Sequence, residues 1–326
     1  MDLMVHDQPA HGRKALSSTS RCERAIRRVP ATVPRVTEIR SEALRSTLDR
    51  ALATGDVAEL SAYLARSSHL PGPRPNLELA AAAGEALAAA GRPAERIVRE
   101  FASLDADDGT PYVFLPMVAA YALAASIGKD VRAAERTLEV LGELGEDERS
   151  VVRRAVEDAL ATAAPRFPGG VDAFVNALVP WCGSFSRGSV ALGAIGDRRV
   201  LDAAHDQAAL VAAIDAATTA LEDAPRAKER DPGRRRLLDA LPRAVTAAAT
   251  ASREVAEWLA ARAATSRHAD VRRALEEIVS RLRNRGERKS ERTAAAVALV
   301  ASAKAPRDPT LIREGMRGRG KKRRDR

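Results

Sequence analysis

The residue types able to do chemistry are thinly spread in this sequence. Trp258 lies in "SREVAEWLAARAA", with Glu254 one helical turn before it and Arg262 one turn after. That spacing sets an indole between a carboxylate and a guanidinium on one helix face. A packed tryptophan with a flanking salt bridge explains it as well as a reactive site does. "PWCGSF" around Cys182 has the Trp-Cys-Gly start of a redox site. No second cysteine follows two residues on and no strand–helix–strand pattern surrounds it, so an inert, packed thiol is expected. "DADDGT" offers Asp105 and Asp107 as a calcium loop does, but the next ligand place is Gly109 and the twelfth is Pro116. A loop without the closing glutamate lacks its bidentate ligand, so a capping turn is expected instead. His6, His11, His69, His205 and His268 share no ligand spacing with one another or with cysteine, and His205-Asp206 reads as a surface pair. "GSVALGAIGD" has glycines without a phosphate-loop lysine or dinucleotide spacing. No metal and no cofactor are expected, and no residue is assigned a catalytic role.

The strongest binding signal is the C-terminal "GMRGRGKKRRDR", where Arg317, Arg319, Lys321, Lys322, Arg323 and Arg324 crowd together without an apolar anchor. A basic arm of this kind binds phosphates by counterion release, and its affinity falls steeply with salt. Its Arg-Gly-Arg-Gly core loosely resembles a minor-groove AT-hook arm. The alternative is a solvated tail with no specific partner. No aromatic residues interleave, which argues against base stacking on single strands. Charge is uneven along the chain. Residues 1–35 carry seven Lys/Arg against three Asp/Glu, and residues 304–326 carry ten against three. Removing both from the chain's 53 basic and 44 acidic residues leaves 36 and 38, a net of −2 for the middle. The excess of basic charge, and any attraction to nucleic acid, therefore belongs to the tails.

The elements that must position these residues are helices. Apolar residues make up 45% of the 326, yet aromatics only 3%, so alanine and leucine carry the apolar surface. Both favour helix, and β-branched and aromatic strand formers are thin. About a dozen helices follow from Val36 onward, punctuated by caps and breakers. Asn76 caps "LELAAAAGEALAAAG", Pro93 sits in the first turn of the next helix, and "LPGPRPN" must be a turn. "PYVFLPMVAAYALAASIG", residues 111–128, is uncharged but short of the ~20 residues a membrane span needs, so it is expected as a buried core helix. "CGSFSRGSVALGAIGD" holds four glycines and reads as a loop or frayed helix, and one helix fits residues 197–222. "APRAKERDPGRRR" reads as an internal linker.

One helix has near copies. Residues 271–277, "VRRALEE", match residues 152–158, "VRRAVED", at an offset of 119, or three steps of about 40 residues. "DVRAAERTL" from Asp130 is a looser third copy. On these segments the chain resembles the HEAT/armadillo-like α-solenoid superfamily, whose second helices open with Asp-Val-Arg, as at Asp130-Val131-Arg132 and Asp270-Val271-Arg272. The resemblance implies ladder bonds between stacked repeats through Asp130, Arg132, Arg153, Asp270 and Arg272. Val151 stands where the copy at Arg153 should have its aspartate. It further implies an all-α solenoid of HEAT-like helix pairs. The expected organisation is a disordered arm over 1–35, repeats over 36–224, a linker over 225–233, repeats over 234–303 and a basic disordered tail over 304–326. The arm is Arg/Ser-containing and acid-poor like a transit peptide; equally, the true start lies downstream, near Val36.

The function expected from this reading is a non-enzymatic, cytoplasmic scaffold that binds a protein partner and has no membrane span. A first alternative is a nucleic-acid-associated protein anchored by the basic tail. A second is an enzyme similar to the bacterial alkylpurine DNA glycosylases, HEAT-like proteins that hold DNA in a basic cleft with tryptophan and a carboxylate. Here only Trp258 with Glu254 offers a counterpart. That family's tryptophan–aspartate pattern is not reproduced, and the near-neutral middle lacks a basic surplus.

Overall fold

Among the described residues, Asn76, Asp130, Asp197, Asp206, Asp231 and Ser252 each accept a hydrogen bond from a backbone N–H of the helix they precede. A helix leaves its first four N–H groups without intrahelical partners, so these caps fix where the chain turns into its next helix. The computed structural model describes residues 36–128, 130–286 and 299–300. It contains α1 (Val36–Thr54), α2 (Ala58–Ser67), α3 (Leu77–Ala90), α4 (Arg92–Ala102), α5 (Phe114–Ser126), α6 (Val131–Gly145) and α7 (Ser150–Ala163). There follow α8 (Gly170–Cys182), α9 (Phe185–Ile195), α10 (Arg198–Leu201), α11 (Gln207–Glu222), α12 (Pro232–Ala251), α13 (Arg253–Thr265) and α14 (Ala269–Gly286). No strand occurs among the described residues.

From Glu42 onward the chain forms one unit, and its packing order is that of a stack. α3 packs on α5, α5 on α7, α7 on α9, α9 on α12 and α12 on α14, making one layer. The intervening α4, α6, α8, α11 and α13 form a second layer, each lying against at least one chain neighbour in the first. Contacts thus run between successive helix pairs, which is how an α-solenoid buries faces that no single pair could hide. The copies found in the sequence fit this order: "VRRAVED" is in α7 and "VRRALEE" in α14, three steps apart in the same layer. The Asp130 copy enters α6, in the other layer. Its aspartate is a helix cap, a role available at the start of any helix.

Within residues 111–128, a short 3-10 turn (Pro111–Val113) that leaves Tyr112 exposed leads into the buried helix α5. Every residue of α5 from Phe114 to Ala122 is buried. No described helix is long and apolar enough to cross a membrane. Two expectations are corrected. The glycine-rich segment after Cys182 is the well-formed helix α9, with Val190, Leu192 and Ile195 fully buried in the first layer. Its glycines are approach points. A Cβ on Gly193 would lie 2.5 Å from the Glu157 carboxyl carbon, and one on Gly196 would lie 2.8 Å from the Ala244 Cα. The single helix expected over 197–222 is two, α10 and α11. The Asp172 carboxylate accepts the backbone N–H groups of His205 and Asp206 at 2.7 and 2.9 Å and holds the break open. Asp206 then caps α11 through the N–H of Ala209.

Gly84 provides the closest crossing. A Cβ there would lie 2.6 Å from the Ala122 nitrogen and from the Tyr121 Cβ, so α3 and α5 meet backbone to backbone. Small residues at such crossings explain how a chain with few aromatics reaches the packing density of a protein interior.

Candidate functional site

The residues singled out in the sequence are dispersed. Asp130 caps α6 through the Ala133 N–H at 2.7 Å, and Arg132 is exposed. Arg153 donates to the backbone carbonyls of Asp147 and Glu148, both at 2.6 Å, and so closes the turn into its own helix. Asp270 accepts from Arg234 Nη2 at 2.8 Å, joining α14 to α12, while Arg272 is exposed. Arg317, Arg319, Lys321, Lys322, Arg323 and Arg324 lie outside the described residues, as do the arm over 1–35 and Cys22. Trp258 donates its indole N–H to Asp215 on α11 at 2.9 Å. Arg262 reaches Asp215 at 3.5 Å and Glu222 at 2.6 Å, so this group joins α13 to α11 without Glu254. Cys182 is a free thiol with apolar burial, which pushes its pKa up to about 12. Among the described residues no cluster of His, Cys, Asp and Glu is placed to hold a metal ion.

Two arrangements stand out. The first is a polar network across α5, α7 and α10, with α12 beside it. Tyr121 donates to Asp158 at 2.5 Å, and Arg199 bonds Asp158 at 2.6 Å, Thr162 at 2.7 Å and both oxygens of Asp197 at 2.9 Å. Burial, then the Asp158 carboxylate, raises the Tyr121 phenol far above its usual range, so it acts as a fixed donor. The Arg199 hydrogen bond holds Asp197 below the usual carboxylate range. Beside it, Glu157 meets Arg243 at 3.0 Å across the bare backbone of Gly193. Burial lifts the Glu157 carboxyl, and Arg243, Arg153 and Arg154 partly offset this. A small cavity of about 280 Å³ opens here, with Arg154, Glu157, Asp197 and Arg243 on its walls. Its charges largely satisfy one another, so its chemistry is that of a stitch between repeats.

The second is a groove. In the second layer α8 packs on α11 and α11 on α13, whereas α6 packs closely on neither α4 nor α8. Between α4 and α6 lies an open cavity of about 1190 Å³. Its floor is the C-terminal halves of α3 and α5, and Leu123 is part of it. One wall carries Val98 and Ala102 of α4. The other carries Ala133, Thr137, Val140 and Leu144 of α6, a second stripe at helical spacing beside the buried Ala134, Leu138 and Leu141. Val140 is 39% exposed, unusual for a large apolar side chain in this fold. Arg92, Arg99 and Arg136 on the rim, with Glu95 and Glu143, make no side-chain ion pair among the described residues.

Arg149 spans the far end of the groove. Its guanidinium donates to the Leu104 and Ala106 carbonyls at 3.1 and 2.9 Å, beyond α4, and to Asp147 at 2.6 Å, beyond α6. Both side chains are nearly buried, at 14% and 13% exposed. Burial opposes ionisation of Asp147, but the hydrogen bonds and charge of Arg149 hold its carboxyl below the ordinary range. The two walls are therefore pinned at a set distance by an ionised pair. The sequence reading missed this site. Its signal was the excess width of the apolar arc in "VRAAERTLEVLGELG", more than one interface requires.

No protein-family model matches the chain, and no curated protein matches it. Among solved structures it is similar to a designed armadillo repeat protein, at 16% identity and a TM-score of 0.36, over 81% of this chain and 98% of that one. It is also similar to an engineered protein from a structural genomics consortium, at 19% identity and a TM-score of 0.32, over 82% and 98%. The fold is an armadillo/HEAT-like α-solenoid. What establishes it is the packing of this chain's own helices, each first-layer helix on the next.

Proposed function

We propose that the protein is a non-enzymatic helical-repeat scaffold that binds a protein partner, with the α4–α6 groove as the docking place. One observation carries this reading. The second layer is open between α4 and α6, its walls are apolar at helical spacing, and the exposed Val140 lies on one of them. An apolar groove with a charged rim is the form that binding surfaces take, because burying its floor supplies affinity and its rim supplies selection. The same reading keeps the expectation of a reducing cytoplasm, in line with the buried, unpaired Cys182.

The test is site-specific photo-crosslinking in host-cell extract, with the crosslinker placed in turn at Thr137 and Val140 and, as a comparison, at Asp239 on the exposed side of α12. One protein identified by mass spectrometry at the groove positions, and lost in Val140→Glu, is the expected result. If no position crosslinks any protein, the scaffold reading is overturned.

A further inference from the structure

We infer that the occupant of the α4–α6 groove is an amphipathic helix of a protein partner whose apolar stripe is flanked by acidic residues; this rests on the scaffold reading above. The size of the opening fits one helix. A cylinder about 10 Å across and about 15 Å long, roughly ten residues of helix, fills a volume like that of the cavity of about 1190 Å³. The Ala133–Leu144 stripe along α6 runs over about 16 Å, the same length. The layer argues the same way. A helix laid between α4 and α6 would lie between two second-layer helices as α11 lies between α8 and α13.

The rim selects charge. The C-terminal residues of both α3 and α5 line the groove, so α4 and α6, which follow them in the chain, start from the same end of it. Arg92 stands at that end and Arg99 and Arg136 further along the two walls, while Glu143 stands toward the far end. Glu95 is one turn from Arg92 and Arg99 on the same helix, within reach of both. Arg99 and Arg136 thus stand on opposite walls, and with Arg92 they outnumber the rim carboxylates Glu95 and Glu143. Acidic side chains flanking the stripe of an incoming helix would meet both, whereas lysines there would face like charge. Such a pair of rim charges acts mainly on selectivity and association rate, while the apolar stripe carries most of the affinity.

The groove is preformed. Arg149 fixes the loops beyond both walls, so a partner helix does not have to part them, and less binding energy is spent on reorganisation.

The experiment uses the full chain and two fluorescent fourteen-residue helical peptides. Both carry Leu and Ala at i, i+3, i+4, i+7 and i+11. One has Glu on both flanks of the stripe and the other Lys. The expected result is that the Glu peptide binds at least about tenfold more tightly than the Lys peptide in low salt, as complementary rim charges require. Val140→Glu should weaken both by about tenfold or more. The double variant Arg99→Glu/Arg136→Glu, with unchanged circular dichroism, should invert the preference. Equal affinities, an unchanged preference in the double variant, indifference to Val140→Glu, or no measurable binding would each overturn the proposal. These outcomes separate from failure of the scaffold reading. Crosslinks at Asp239 alone, with no peptide binding, remove the acidic helix and leave a scaffold that docks elsewhere. An absence of crosslinks at every position removes the scaffold itself.

Discussion

Gly84→Ala sets two physical effects directly against each other. Replacing glycine inside a helix with alanine should stabilise by about 1 kcal/mol from backbone propensity alone. At Gly84, however, the added Cβ falls 2.6 Å from the Ala122 nitrogen, 2.6 Å from the Tyr121 Cβ and 2.7 Å from the Tyr121 carbonyl carbon. Ordinary separations are about 3.5–4.0 Å, so α3 and α5 must part by about 1 Å. The neighbours are mostly backbone and cannot swing away, which puts the overpacking cost at the upper end of its range, about 3 kcal/mol. The net expectation is a loss of about 2 kcal/mol, or a Tm lower by about 4–8 °C. Gly109→Ala is the comparison. Nothing lies within 4 Å of its Cβ position, so it should be neutral or slightly stabilising through the unfolded chain. Thermal and urea unfolding of both variants, with hydrogen exchange of the α3 and α5 peptides, reads the outcome. A Gly84→Ala protein as stable as the wild type would refute the backbone-contact account of the stack. So would faster exchange confined to α12–α14, because repeat proteins lose stability where the interface is damaged.

Other expectations follow from the charged groups. The folded pKa values of Asp147 and Asp197 are depressed, so the stability they contribute is present above their unfolded values of about 3.9 and is lost as pH falls through the folded ones. Glu157 is raised, so its cost at neutral pH is relieved as pH falls through its folded value. A Tm–pH curve should therefore stay level or rise slightly on mild acidification and then drop, and Glu157→Gln should remove only the first feature; a steady fall from neutrality would contradict this. Arg234 has a side chain 5% exposed against 50% for its partner Asp270. Asp270→Ala strands a buried cation and should cost about 3 kcal/mol, whereas Arg234→Met should be close to neutral, an order that urea midpoints can reverse. Cys182 should resist DTNB in the native Cys22→Ser protein and react only on unfolding; prompt labelling would mean the thiol is not buried as described.

How much of this was legible in the sequence depends on which residue carried the signal. The Asn76 cap was readable because a cap acts over three residues and announces its helix without help from anything distant. The buried helix α5 was readable because no charge interrupts it. α9 was not, because glycine lowers helix propensity locally, while the gain that offsets it comes from Glu157 and Ala244, which are remote in sequence. The split of α10 from α11 was hidden for the same reason, since the carboxylate that holds the break is Asp172. The 119-residue echo matched helices at equivalent places in one layer, α7 and α14, while the Asp130 echo marked only the cap of its own helix. The groove was the hardest to read. It is a separation between two helices, and periodicity shows which faces are apolar but not which of them lack a neighbour.

That separation has a cause that can be tested. Two other neighbouring pairs of second-layer helices are stitched by side chains: α8 to α11 by Asp172, and α13 to α11 by Trp258, Arg262 and Ser266. Between α4 and α6 the only link described is Arg149, and it joins the loops beyond them. Two apolar walls facing water should close on each other unless something holds them apart, because burying Val98 and Val140 is favourable at about 25 cal/mol per Å². Arg149 holds the loops beyond the two walls at a fixed separation. Arg149→Met keeps the length of the stem and removes the three anchors, so α4 and α6 should approach and bury Val140. In a Cys22→Ser/Val140→Cys background, DTNB labelling at position 140 should then slow several-fold relative to the same protein with Arg149 intact. Labelling that is unchanged or faster would show that the walls stand apart for another reason, and that the groove owes nothing to the buried Arg149–Asp147 pair.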